Sequence, residues 1–251
     1  MDRSRTSAAG SVGGYGDIHD NLRYWIGRLV EEISATGRST VMYDVGANDG
    51  ELTLPWAARG IPVVAFEPGS GARERLRQRA GAAPGATDNL TIIPVALGAR
   101  HQTAVLTVYN DDTFSSLYTR PSTEEEQYGL AATSRERIEI VPLDALRVRQ
   151  NLPSPAIIKI DVEGAERDVL LGAEETLRRA MPALIVEYSC PNCANAGYDR
   201  REIREILESY GYRRIFGLFR NEDRRLHDGP TLEDCRIWNL LVLPDTLQIS
   251  S

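Results

Sequence analysis

Residues 158–164, IKIDVEG, place Lys159, Asp161 and Glu163 at two-residue intervals. Side chains alternate along a strand, so Lys159 and Asp161 point to the same side. Charges inside an apolar run are costly unless paired or put to use. A carboxylate kept ionised by a neighbouring ammonium can take the proton of an acceptor hydroxyl, or hold that hydroxyl in line. Asp161 is the first candidate for this base and Glu163 the second, with Lys159 as the partner cation. The competing use is a buried pair that only orders the site, and Glu163 could instead cap the helix it opens. Glu187 ends the next strand, ALIVEY, in the corresponding place, where it could bind an acceptor. Asp161, Glu163 and Glu187 could also form an oxygen-rich magnesium site. The expectation is that they do not, that no metal is held and that activity survives chelation.

A second cluster lies upstream in YDVGANDG, residues 43–50: Asp44, Gly46, Ala47, Asn48 and Gly50. A strand that ends in a glycine-rich turn and feeds a helix presents backbone N–H groups to a ligand. Gly46 and Gly50 are expected to let that ligand lie against the main chain, where a Cβ would block it. The spacing matches neither a phosphate-binding P-loop nor G-x-G-x-x-G. Glu67 ends the following strand, 21 residues beyond Gly46 (67 − 46). An acid there reaches the ribose hydroxyls of an adenosine, while Asp44 favours a cationic group over a pyrophosphate. Adenosine plus an ammonium without phosphate describes S-adenosylmethionine.

The elements needed to position these residues can be read from the pattern. Residues 18–35 place Leu22, Trp25, Ile26, Leu29, Val30 and Ile33 at spacings of three and four, which predicts an amphipathic helix stopped by Gly37. TVMYDV, IPVVAFEP and NLTIIPVAL are short apolar strands separated by helices, which predicts a parallel sheet covered on both faces. QTAVLTVYN alternates like a hairpin or edge strand. The region around 110–136 has no long periodicity and is expected to be a loop or lid, whose Ser115 and Ser116 could close over cofactor or acceptor. Alternation resumes with AIIKIDV, one helix over EGAERDVLLGAEETLRRA, ALIVEYS, another helix, and two final strands expected to be antiparallel. The organisation is a flexible tail over 1–17, a helix over 18–37 and one domain over 38–245.

Composition excludes several classes. The net charge is −7, which disfavours general nucleic-acid binding. No apolar run approaches a membrane span. Three cysteines, Cys190, Cys193 and Cys235, show no framework spacing, so free thiols and a cytoplasmic location are expected. Of 29 basic residues, 28 are arginine, and Lys159 is the single lysine. The interleaved arginines and acids of residues 199–225 read as a solvated face.

VGANDGELTLPWAARGIPVVAFEP, IIPVALG, the Ser115–Leu117 run SSL, VPLDAL, IIKIDVEGAERDVLLGA and ALIVEY, in that order over about residues 41–188, resemble the FkbM-type S-adenosylmethionine-dependent methyltransferases. The resemblance implies a class I Rossmann-like α/β fold: a mostly parallel sheet, helices on both faces and an antiparallel C-terminal strand. It implies O-methylation of a small molecule, such as a secondary metabolite or sugar. Matching positions make Asp44, Gly46, Ala47, Asn48, Gly50, Glu67, Pro68, Ala96 and Asp161 the expected cofactor residues, with Asp161 and Glu163 near the methyl group. A small-molecule acceptor is the expected partner, and an oligomer is possible. The alternatives are an NAD(P)-dependent oxidoreductase and a non-catalytic adenosyl-ligand scaffold.

Overall fold

A computed structural model describes residues 16–219 and 224–249, and the predicted N-terminal tail lies almost wholly outside them. The first helix, α1 (Gly16–Ala35), precedes β1 (Met42–Val45), α2 (Leu54–Ala57), β2 (Val63–Phe66), α3 (Ser70–Ala82) and β3 (Leu90–Ile93). The chain continues through β4 (Ala96–Leu97), β5 (Gln102–Tyr109), α4 (Ser122–Tyr128), β6 (Ala132–Val141) and α5 (Leu143–Gln150). It ends with β7 (Ile157–Ile160), α6 (Glu166–Leu171), α7 (Glu174–Ala180), β8 (Ala183–Glu187), α8 (Cys190–Asn195), α9 (Arg201–Ser209), β9 (Arg214–Phe219) and β10 (Ile237–Leu243).

Seven strands form one sheet in the order β3-β2-β1-β7-β8-β10-β9. All neighbours run parallel except β10, which is antiparallel to both β8 and β9. The chain moves outward from β1 to β3 and returns to β7 on the other side of β1. That reversal is the topological switch point, where ligands bind at the strands' carboxyl ends.

Alternating strand residues feed two cores. Tyr43, Val45, Ile158, Ile160, Leu184 and Val186 pack against α6, α7 and α9. Met42, Val63, Ala65, Ile157 and Ile185 pack on the opposite face. The six apolar positions predicted for α1 are all buried in that second core, so α1 covers one face of the sheet.

Three local features depart from the pattern. Pro94, which cannot donate to a ladder, ends β3, and the chain leaves the main sheet to build a second one, β4-β6-β5. The predicted lid carries α4, and β6 begins inside it at Ala132. The single helix predicted after β7 is two, broken at Gly172. A Cβ there would lie 2.0 Å from the Gly98 carbonyl oxygen, and Asp144 accepts from the backbone N–H of Glu175 and Thr176 at the start of α7. The inward positions Ala165, Val169, Leu170, Ala173 and Leu177 are nevertheless all buried.

The expectation of free thiols is corrected. Cys190 is joined to Cys235, 45 residues away, and only Cys193 is free, buried and with its thiol pushed up to about 12 by desolvation. Nothing in the spacing marked Cys235 as a partner for Cys190. The true partner comes from the segment before β10, which antiparallel pairing brings back beside β8. Arg200 also departs from the solvated-face reading: it is buried, donating to the carbonyls of Tyr188, Leu232 and Ile237.

Candidate active site

The carboxyl ends of β1, β2, β7 and β8 open onto one cavity of about 910 Å³. Every predicted cofactor and catalytic residue except Gly50 lines it, as do Ser115, Ser116 and Glu187. The lid segment and the second sheet form the other wall, through residues such as Phe114, Tyr128 and Ile138.

Glu67 joins two turns. Its carboxylate accepts from the Asn48 N–H at 2.9 Å and the Gly69 N–H at 2.7 Å. Burial pushes this carboxyl above the usual range, and those two N–H groups pull the other way. The acid predicted for a ribose therefore also fixes the turn after β1. Asn48 sits at φ +46°, and its side-chain oxygen is buried without a hydrogen-bond partner.

The two glycines serve a different purpose from the one expected. Gly46 has φ +78°, and a Cβ there would come within 1.9 Å of the Asp161 carbonyl oxygen. At Gly50, φ +85°, the obstruction would be Leu76 and Leu54. These Cβ atoms would strike protein rather than the space left for a ligand. Gly46 lets the β1 turn touch the end of β7, and Gly50 lets it seat on the core under α3.

Lys159 is 4% exposed and Asp44 is fully buried. The Lys159 Nζ lies 3.2 Å from Asp44 Oδ1, 3.6 Å from Asp161 Oδ2 and 2.9 Å from the Gly46 carbonyl oxygen to which it donates. Thr53 donates its hydroxyl to the other Asp44 oxygen. Burial works against the ammonium, but Asp44 and Asp161 outweigh it and hold Lys159 above the ordinary lysine value. The lysine thus pairs first with Asp44, and Asp161 is its more distant partner. Asp44 is committed to a protein cation and is not free for a ligand's ammonium.

Asp161 keeps 30% of its side chain exposed and Glu163 20%, so both reach the cavity. Glu163, at φ +55°, follows β7 in the loop before α6. Burial and the Asp161 charge push its carboxyl up to about 8, against the pull of Arg120. Glu187 is almost completely buried, and desolvation, followed by Glu163, Asp161 and Glu166, raises it well above the usual range. Glu166 accepts from the N–H groups of Val162 and Gly164 and from the Tyr198 hydroxyl, which shapes the loop.

Two residues escaped the sequence reading. Arg120, 5% exposed, donates to Glu163, Glu124 and the Phe114 carbonyl, pinning the lid to the loop after β7. Among 28 arginines nothing marked it. Asn192, 6% exposed, bridges Glu163 Oε2 at 3.0 Å and Glu187 Oε1 at 2.9 Å. It sits inside CPNC, where the cysteines drew attention. Ser116 is also an anchor: its hydroxyl donates to the Glu163 carbonyl at 2.8 Å. The Ser115 hydroxyl is buried without a partner beside the cavity.

Residues 44–214 match the methyltransferase FkbM domain. The chain belongs to that family. The fold is the class I methyltransferase fold, with its antiparallel penultimate strand in space, and the nicotinamide reading falls away. The chain is 27% identical to the hexuronic acid methyltransferase AglP of Haloferax volcanii over 184 residues, 73% of this chain and 68% of that protein. Among solved structures it is similar to the methyltransferase FkbM of Methylobacillus flagellatus, with TM-score 0.49 and 18% identity. That match covers 81% of this chain but 43% of the other, so this family member spans less than half of that protein's length. The magnesium protoporphyrin IX methyltransferase of Synechocystis, solved with bound SAM, matches with TM-score 0.47 and 13% identity over 94% of this chain and 86% of its own. No helix among the described residues is long and apolar enough to cross a membrane.

Proposed function

We propose that this FkbM-family chain transfers the methyl group of S-adenosylmethionine to a hydroxyl of a sugar or related small molecule. The observation that carries the reading is the Glu67 bridge: one buried acid ties the turns after β1 and β2 together at the mouth of the cavity that also receives Asp161, Glu163 and Glu187. The adenosine lies across Glu67, Pro68 and Ala96, and the methionine part runs over the Gly46–Asn48 turn toward Asp161. Transfer from a sulfonium needs chiefly an acceptor oxygen held in line. Asp161, the most exposed acid of the trio, takes the hydroxyl proton, and Glu163 is the alternative. AglP supports a sugar acceptor, since its name is that of a hexuronic acid methyltransferase. Of the free thiols on which a cytoplasmic location was expected, only Cys193 remains, since Cys190 is bonded to Cys235.

Calorimetry with S-adenosylmethionine tests the cofactor. Incubation with neutral and uronic-acid sugars then tests the acceptor, with mass spectrometry detecting the added methyl. Mild alkali removes a methyl ester and leaves a methyl ether. No cofactor binding, or a product that is wholly ester, refutes the corresponding half of the reading.

A further inference from the structure

We propose that Asp161, Glu163 and Glu187 bind a hard divalent cation, Mg²⁺ or Mn²⁺, at the carboxyl ends of β7 and β8. One carboxylate oxygen from each lies within 4.8 Å of the others. Ligand oxygens bonded to one such cation at about 2.1–2.4 Å sit at most about 4.2–4.8 Å apart, so the trio closes on an ion with little movement. An all-oxygen donor set selects Mg²⁺, Mn²⁺ or Ca²⁺ over softer metals.

The hydrogen bonds leave one oxygen of each carboxylate open. Asp161 Oδ2 faces Lys159, Glu163 Oε2 accepts from Arg120 and Asn192, and Glu187 Oε1 accepts from Asn192. Asp161 Oδ1, Glu163 Oε1 and Glu187 Oε2 accept no hydrogen bond among the described residues. Glu187 Oε2 is the strongest pointer to a ligand, because it is fully buried, on a side chain 3% exposed, and has no hydrogen-bond partner among the described residues. The Glu166 carboxylate lies against Glu187. Two carboxylates satisfy each other only by sharing a proton, which a cation bound to Glu187 would replace, while Glu166 keeps its bonds from Val162, Gly164 and Tyr198. Five carboxylates (Asp44, Asp161, Glu163, Glu166 and Glu187) thus stand against two cations, Lys159 and Arg120. Each of those cations is shared, with Asp44 and with Glu124 respectively. Ionised together, the five would leave a negative excess that is costly in a buried site, and a divalent ion offsets it. Arg120 and Asn192 then act as outer partners that orient the ligands.

The cation changes the role given to Asp161 above, from base to ligand. In that one respect the inference revises the proposed function, and its test needs neither cofactor nor acceptor. Mn²⁺ is titrated into the full chain without cofactor, and the free ion is followed by electron paramagnetic resonance. We expect one bound ion per chain, displaced by Mg²⁺. Glu187→Gln should weaken binding at least tenfold. Its amide keeps an acceptor for Asn192 and gives Glu166 a donor, so its melting temperature in EDTA should equal or exceed that of the wild type. Asp161→Asn, on the most exposed ligand, should also weaken binding and serves if the first variant fails to fold. Glu74→Gln, on the exposed side of α3, should bind as wild type. A Mn²⁺ signal indistinguishable from buffer up to millimolar ion, or wild-type binding by Glu187→Gln, overturns the site. Either result would leave calorimetric binding of S-adenosylmethionine untouched, so failure of the metal and failure of the methyl-transfer reading are told apart.

Discussion

Lys159→Met keeps the apolar stem of the lysine and removes its charge. Asp44, fully buried, then loses its one ion-pair partner among the described residues, and the Gly46 carbonyl loses its donor. Thr53 still satisfies the other Asp44 oxygen, which rescues a hydrogen bond but not the charge. Breaking a buried pair from one side costs about 3–5 kcal/mol. Asp161 adds little to this figure, since it lies further from the lysine and remains partly solvated. Asp44→Asn in the same chain removes the stranded charge while keeping an acceptor for Thr53. The double variant should therefore recover about 2 kcal/mol or more of the loss, a coupling typical of residues in direct contact. Equilibrium urea unfolding of the four proteins measures the cycle. The argument is refuted if Lys159→Met costs under about 1 kcal/mol, or if the two single losses simply add.

Glu67→Ala should weaken S-adenosylmethionine binding by roughly 1–3 kcal/mol, measured by calorimetry; unchanged affinity in a folded variant removes the ribose role. Gly46→Ala should lower the melting temperature as well as cofactor binding, because its Cβ meets the Asp161 carbonyl, and a variant with wild-type stability would contradict that contact. Asp161→Asn should lower kcat by about 10²-fold or more with the true acceptor, while cofactor affinity changes little. A thiol reagent at pH 8 should find no reactive cysteine in the native protein, since the Cys193 thiol is buried and pushed up to about 12, well above that pH. It should find one after unfolding and three after reduction; a native count of one or more rejects this arrangement.

The sheet was legible because its strands are short apolar runs and its helices repeat every three or four residues; all six apolar positions predicted for α1 are buried, although the helix spans Gly16–Ala35 and not 18–37. The glycine-containing turn after β1 and the acids also lie near strand ends, where pattern places them well. Hydrogen-bond partnership was harder to read. Lys159 was assigned to Asp161 because the two share a strand, whereas its nearer partner, Asp44, sits beside it on β1 in the register Asp44↔Lys159. Both are the third residue of their strands, MYDV and IIKI, a signal usable once β1 and β7 are taken as neighbours. Arg120 and Asn192 left no such trace, because their roles come from the lid and α8 folding back over the site. The second sheet was hidden for a related reason: Pro94 divides one apolar run into strands of two sheets.

The Asp44–Lys159 pair also bears on how the chain is made. Strands β1 to β3 can assemble while the later sequence is still being synthesised, and β1 then forms an open edge. Its partner β7 begins 115 residues after β1 (157 − 42), a delay of roughly 6–23 s at ordinary elongation rates. An open apolar edge invites pairing with the wrong strand, and an inward-pointing charge discourages it. An intruding strand with no cation at that register would have to bury Asp44 unpaired. The strand carrying this protein's one lysine, at the matching register, removes that obstacle, so the same carboxylate that burdens the finished core guards the nascent edge until β7 arrives.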